Sequence, residues 1–177
     1  MPSSIRPRSD ERLTLTEITK AEYHLRNSFM IYSKPCEYAI RALAYLASAP
    51  EVMARAEEIA RAEHLPVPVL SKVLQELARK GLLKSRQGPG GGFRLGRRPE
   101  LITLRDVVAA IDGLDQFLEC AVGLESCTDA SPCPLHDRWT RVREGLLEYL
   151  SSTTLDDMAQ AVIRKKELAE AIKNSSP

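Results

Sequence analysis

Apolar residues recur with helical spacing from residue 30 to residue 111, and the gaps between the runs fall at residues that stop helices. In IYSKPCEYAIRALAYLASAP, entered from Met30, the residues Ala39, Leu43 and Leu46 form one stripe. Ser33 stands where an N-cap belongs, and Pro35 suits a first turn. ARAEEIARAEHL predicts a short helix that turns Ile59 and Ala60 inward. After a brief turn, LPVPVLSKVLQELARKGLL sets Val69, Leu70, Val73, Leu74 and Leu77 at helical spacing and stops at Gly81. Pro66 and Pro68 are tolerated only at the start of that helix. Two helices joined by so short a turn form a helix-turn-helix. In KSRQGPGGGFRLGRR the period changes to two: Phe93 and Leu95 alternate with Arg94 and Gly96 beyond a glycine-rich turn, which predicts a β-hairpin wing.

Further on, ITLRDVVAAIDG predicts a helix capped by Thr103, followed by a cysteine-bearing stretch from Leu118 to His136. DRWTRVREGLLEYLSS carries Trp139, Val142, Leu146, Leu147 and Leu150 on one helical face. TLDDMAQAVIRKKELAEAIK predicts a last helix with highly charged final turns. The expected fold is mainly α: a winged helix-turn-helix with a small hairpin and a long dimerisation helix. Its segments are an N-terminal extension (1–29), the winged helix-turn-helix (30–98), a linker helix with the cysteine loop (99–136), the long helix (137–160) and a charged helix and tail (161–177). Residues 1–29 are polar and lack a sustained stripe, so loose order is expected there.

The chain's 177 residues suit one domain with extensions, and 44% hydrophobic with 28% charged residues describe a soluble protein. No run reaches the roughly 20 apolar residues of a membrane span, and MPSSIRPRSDERLTLTEITK lacks the apolar core of a signal peptide. A reducing cytoplasm is therefore expected, where four cysteines serve as ligands more readily than as bridges. The formal charge of +1 hides a polarised molecule. Residues 64–98 carry eight Lys/Arg against one acid, whereas residues 99–160 carry four against twelve. The first segment suits phosphates and the second repels them.

A helix entering the major groove reads base edges with side chains near its N-terminal end. Here those are Pro66, Val67, Pro68, Val69, Ser71, Lys72 and Gln75. Ser71, Lys72 and Gln75 offer hydrogen bonds, and the apolar residues either touch thymine methyls or, as at Val69, belong to the core. Lys84, Arg86, Arg94, Arg97 and Arg98 lie on or beside the wing, suited to phosphate or minor-groove contact. GPGGG lacks the GxxxxGK[ST] pattern and precedes a strand, which argues against a nucleotide loop.

Cys120, Cys127 and Cys133 are separated by six and five residues, and His136 follows after two. Three thiolates and an imidazole this close can converge on one metal centre, and soft thiolates select iron–sulfur iron or zinc. The spacing exceeds the paired CxxC of structural zinc, which puts zinc second. His136 either ligates or packs at a helix start. Cys36 stands apart as a core residue, and His24 and His64 as surface residues. An enzyme with a cysteine nucleophile would have only His136 beside Cys133 as its base, a poor basis for catalysis.

Together, SKPCEYAIRALAYLA, LARKGLL, RQGPGGGFRL, ITLRDVVAAIDG and the three-cysteine loop ending in CPLH resemble the IscR/NsrR family of winged-helix iron–sulfur regulators, from about Met30 to Ala159. The resemblance implies a homodimer joined through DRWTRVREGLLEYL that binds a partly palindromic duplex and senses cluster status, nitric oxide, redox state or iron supply. It makes Cys120, Cys127 and Cys133 the thiolate ligands. The fourth ligand is His136, with a 2Fe–2S cluster, or an acidic residue of the partner subunit in the place of Glu37; a 4Fe–4S cluster stays open. Where the family often sets an arginine before the glycine turn, this chain has Gln87, with Arg86 preceding it. The other readings are a zinc- or thiol-dependent regulator and a cluster-free one that answers a metabolite.

Overall fold

Helices outnumber strands because the i, i+3, i+4 spacing of apolar residues persists wherever glycine and proline are absent. The computed structural model describes residues 31–124 and 127–174. The extension 1–29, with His24, lies outside the described residues. From Lys34 the chain forms one unit. Its elements are α1 (Lys34–Ala47), α2 (Ala56–Glu63), α3 (Val67–Arg79), β1 (Leu83–Arg86), β2 (Gly92–Leu95), α4 (Leu104–Ile111), α5 (His136–Ser152) and α6 (Leu155–Asn174), with short 3-10 turns at Pro99–Leu101 and Asp115–Phe117. None of these helices is long and apolar enough to cross a membrane.

The central element is α1, which packs against α3, α4 and α6. Its small residues let the neighbours approach closely: Cys36, Ala39, Ala42 and Leu43 are fully buried. Ile59 from α2, Leu70, Leu74 and Leu77 from α3, Val107 and Val108 from α4, and Leu155 from α6 complete the core. The α2–α3 turn is closed by His64, the only non-glycine residue with positive φ (53°) among the described residues. From that conformation its N–H caps α2, bonding back toward the Ala60 and Arg61 carbonyls. Val67 then starts α3 with Pro68 in the first turn. Val69 departs from the expected stripe: it is 40% exposed, while Leu70, Val73, Leu74 and Leu77 face inward. The core lies on one side of α3, so the first-turn residue on the other side stays out.

β1 and β2 pair antiparallel, with Leu83 opposite Leu95 and Lys84 opposite Arg94. The hairpin is fastened to the α1–α2 loop by a reciprocal pair of bonds between Ala54 and Phe93 (2.9 and 2.8 Å). Gly92, with φ +151°, sits where a Cβ would collide with the Ala54 carbonyl, so this junction requires glycine. Thr103 caps α4 as expected. Its hydroxyl accepts from the Asp106 N–H, and the Asp106 carboxylate accepts from the Thr103 N–H (3.2 and 3.1 Å). The two helices expected from DRWTRVREGLLEYLSS and TLDDMAQAVIRKKELAEAIK are present, and the segment boundary drawn at 160 falls inside the second of them. α5 ends at Ser152, and Thr154 and Asp157 form a second capping box that starts α6. The break is pinned to the start of α4 by Leu104 N–H to the Thr153 carbonyl and Leu155 N–H to the Ile102 carbonyl, both 2.9 Å.

Candidate functional site

Two groups of side chains stand out from this frame: an outward face on α3 beside the wing, and a sulfur cluster in the loop before α5. Helical spacing turns Pro68, Lys72, Gln75 and Arg79 to one side of α3, with Val67 and Val69 exposed at its start and Ser71 half-buried. Pro66 precedes them, exposed. An open cleft separates this face from the hairpin, lined by Gln75, Ala78, Arg79, Ser85, Arg86, Gln87 and Phe93. Arg79 was missing from the sequence expectation, though its i+4 relation to Gln75 was the available signal.

Strand alternation sorts the wing. Leu83, Ser85, Phe93 and Leu95 share the face toward α3 and the core, while Lys84 and Arg94 share the opposite one. The structure therefore does not bring Arg94 to the α3 cleft. It pairs with Glu51 at 3.5 Å beside Arg97 and Arg98, which pair with Asp106 (3.6 Å) and Glu100 (3.4 Å). Arg79 pairs with Glu76 on its own helix. The Arg86 guanidinium donates to the Gly90 carbonyl at 2.7 Å and braces the turn. Within residues 64–98, Lys72, Lys80, Lys84 and Arg86 make no ion pair among the described residues, so the unneutralised charge of that segment lies along α3 and the first wing strand.

The second group forms where the chain leaves regular structure. Between Phe117 and Leu150 no described residue is buried, and the loop turns on itself through Gly123 and a small bridge between Thr128 and Ser131. Within it the sulfurs of Cys120, Cys127 and Cys133 lie within 4.8 Å of one another. Cys120 and Cys133 are 3.8 Å apart. That matches the ligand–ligand edge of a tetrahedral thiolate site with metal–sulfur bonds of about 2.3 Å. His136, the first residue of α5, places Nδ1 3.1 Å from the Cys127 sulfur and Nε2 2.9 Å from the Asp129 carboxylate. In the tautomer whose Nε2–H donates to Asp129, the Nδ1 lone pair faces the Cys127 sulfur, the arrangement of metal-ligating histidines. The donor set fits a thiophilic metal or an iron–sulfur cluster. Glu37 is engaged elsewhere, with Lys34 at 2.5 Å and Arg41 at 3.8 Å.

Cys120, Cys127 and Cys36 differ in acidity. The Val122 and Leu124 backbone N–H groups, helped by Cys127 and Cys133, lower Cys120 to about 7. The Cys133 N–H lowers Cys127 too, but there desolvation and the two neighbouring sulfurs outweigh it and raise the thiol. Desolvation, then the charge and hydrogen bond of Asp112, push buried Cys36 up to about 12. Cys36 is thus an inert core thiol, separate from the other three.

Comparison with known proteins decides the family. Residues 32–161 match the Rrf2 family of iron-dependent transcriptional regulators. The chain belongs to that family. A Rhizobium meliloti relative, protein aau3, is 35% identical over 133 residues, covering 75% of this chain and 86% of its own. The IscR transcriptional regulator of Pectobacterium atrosepticum is 29% identical over 101 residues, 57% of this chain and 61% of its own. Among solved structures, CymR, the global cysteine regulator of B. subtilis, superposes with a TM-score of 0.65 at 28% identity, covering 75% of this chain and 98% of CymR. T. potens IscR gives 0.61 at 26% identity, covering 76% and 89%. An Rrf2 protein with this winged-helix fold is a DNA-binding transcriptional regulator and not an enzyme. The basic cleft beside the wing and the sulfur cluster before α5 are thus features of one Rrf2 regulator.

Proposed function

We propose that this Rrf2 regulator is a homodimer whose affinity for an operator is set by an iron–sulfur cluster held by Cys120, Cys127, Cys133 and His136. The observation that carries this reading is the meeting of three sulfurs within 4.8 Å, with the His136 imidazole 3.1 Å from one of them. Two ligand pairs, Cys120 with Cys133 and Cys127 with His136, suit a 2Fe–2S cluster. The ion pairs of Glu37 favour His136 over the partner subunit's acid as fourth ligand. When bound, the cluster supplies iron whose ligation answers to oxidation, nitric oxide and iron supply.

The chain's own residues carry the rest. α3 enters the major groove, where Gln75 reads a base edge and the exposed Val67, Pro68 and Val69 meet methyl groups. Lys72 and Lys80 neutralise phosphates and Arg86 with Gln87 fronts the adjacent groove, whereas Lys84 lies on the Arg94 side of the hairpin, away from this surface. Two copies associate through the stripe of α5, whose Val142 is 60% exposed within one chain. The cysteine loop ends in α5 and begins just past α4, which packs on α1 and α3. A shift of the loop therefore moves the two α3 helices relative to each other. Half-sites lie about 34 Å apart, and a coupling of about 1–3 kcal/mol changes affinity roughly 5–150-fold.

Anaerobic purification followed by absorption and Mössbauer spectra, with iron and sulfide counted, tests this. The account expects a coloured protein with two irons and two sulfides per chain, depleted in Cys127→Ala. A colourless protein without iron sinks it. A second reading rests on the 3.8 Å between Cys120 and Cys133 and on the likeness to CymR: a thiol switch working without metal. A stoichiometric Cys120–Cys133 disulfide in iron-free protein that still controls DNA binding would favour it.

A further inference from the structure

Among its described residues the loop that carries the three cysteines has no buried side chain, so whatever places the sulfurs acts at its two ends. The far end is simple. Cys133 lies three residues before His136, and the His136 N–H bonds to its carbonyl at 3.0 Å. The near end is held by side chains of α5. The Trp139 indole N–H donates to the Glu119 carbonyl at 2.8 Å, and the Arg143 guanidinium donates to the Leu118 carbonyl at 3.4 Å. These are the two residues before Cys120. His136, Trp139 and Arg143 stand at i, i+3 and i+7, on one face of the first two turns of α5. Both limbs of the cysteine loop are thus referred to the same helical surface. By spacing alone Trp139 belongs to the apolar stripe, yet its one hydrogen-bond donor is spent on the loop.

We infer that Trp139 and Arg143 are positioning residues for Cys120, holding the backbone before it so that its sulfur stays beside Cys133 whether or not a metal is bound. The inference rests on the three cysteines being a metal centre. It means that α5 carries one ligand, His136, and sets the place of another.

The test uses metal-free full-length protein titrated anaerobically with Co²⁺, read by the sulfur-to-cobalt charge-transfer band, whose intensity counts thiolates. Wild type should bind with three thiolates. Trp139→Phe keeps the ring and loses the donor. It should bind about 10-fold more weakly, as loss of an outer-shell partner does, and its band should fall toward that of two thiolates. Arg143→Met should show the same loss to a smaller degree, and Arg143→Lys should restore it. In a Cys120→Ala background, Trp139→Phe should change nothing further, which a general weakening of the fold would not produce. Equal cobalt affinity and intensity in wild type, Trp139→Phe and Arg143→Met overturn the inference while leaving the metal centre standing. An equal loss in the Cys120→Ala background also overturns it. Wild type that leaves cobalt unbound overturns the centre and the inference with it. Should Trp139→Phe lose its helical circular dichroism, the Arg143 pair decides.

Discussion

The winged-helix core and the cysteine loop with α5 are held together by different physics. From Cys36 to Val108 the chain buries Leu43, Ile59, Leu70, Leu74, Leu77, Leu104 and Val107 to under 2% exposure, and every element is fastened to a neighbour. From Leu118 to Tyr149 no described residue is buried. Hydrogen bonds hold the loop there, and Val142, Tyr149 and Leu135 stay exposed. The core is complete in one chain. Under the proposed function the second region is finished by other components, a metal within the loop and a second copy along α5. A regulator benefits from this division, because local stability is lowest where a signal must act and highest where DNA geometry must be kept.

The comparison can be broken most sharply with the cysteines. At pH 7 a thiol at about 7 is about half ionised, whereas one at about 12 is ionised in roughly one molecule in 100,000. Iodoacetamide should label Cys120 of metal-free folded protein rapidly and leave Cys36 untouched, as peptide mass mapping will show. Labelling of Cys36 at a comparable rate would place it outside the core. Next comes stability. Leu74→Ala should cost about 2–5 kcal/mol in urea unfolding. Cys127→Ala should change metal-free protein by less than about 0.5 kcal/mol. Equal costs would erase the difference between the regions.

How far each region could be read from residues alone follows the same division. Leu70, Val73, Leu74 and Leu77 announce α3 because the core imposes a helical period, and Thr103 with Asp106 announces the start of α4. Thr154 and Asp157 carry the same capping signal and mark the α5–α6 break, which leaves a segment boundary at 160 inside α6. Arg94 was legible in principle: strand alternation with inward Leu95 puts it on the side away from α3. The convergence of Cys120, Cys127 and Cys133 was legible as spacing. The bonds from Trp139 and Arg143 to the loop backbone were not, because their acceptors are carbonyls, and any residue has one.

Smaller effects sharpen the DNA side. Gln75→Ala should cost about 1–3 kcal/mol on the preferred duplex and relax preference at one base pair, seen by competition among single-site variants. Lys72→Ala should weaken all duplexes alike and reduce the salt slope by about 1. Arg94→Ala, paired with Glu51 behind the wing, should change affinity least; a loss matching that of Lys72→Ala would mean that the wing turns over on DNA. Alkaline pH gives a last, gentle test. Cys36 has a raised folded pKa, so above about 9 the unfolded chain binds fewer protons than the folded one. Stability should therefore fall between about pH 9 and 12, and Cys36→Ala should flatten that fall.

The decisive measurement is operator affinity of one anaerobic preparation before and after its iron is removed by chelation, using a duplex selected by the protein from a random pool. The account predicts a change of roughly 5–150-fold in wild type that is absent in Cys127→Ala. Unchanged affinity on iron removal in wild type would contradict it.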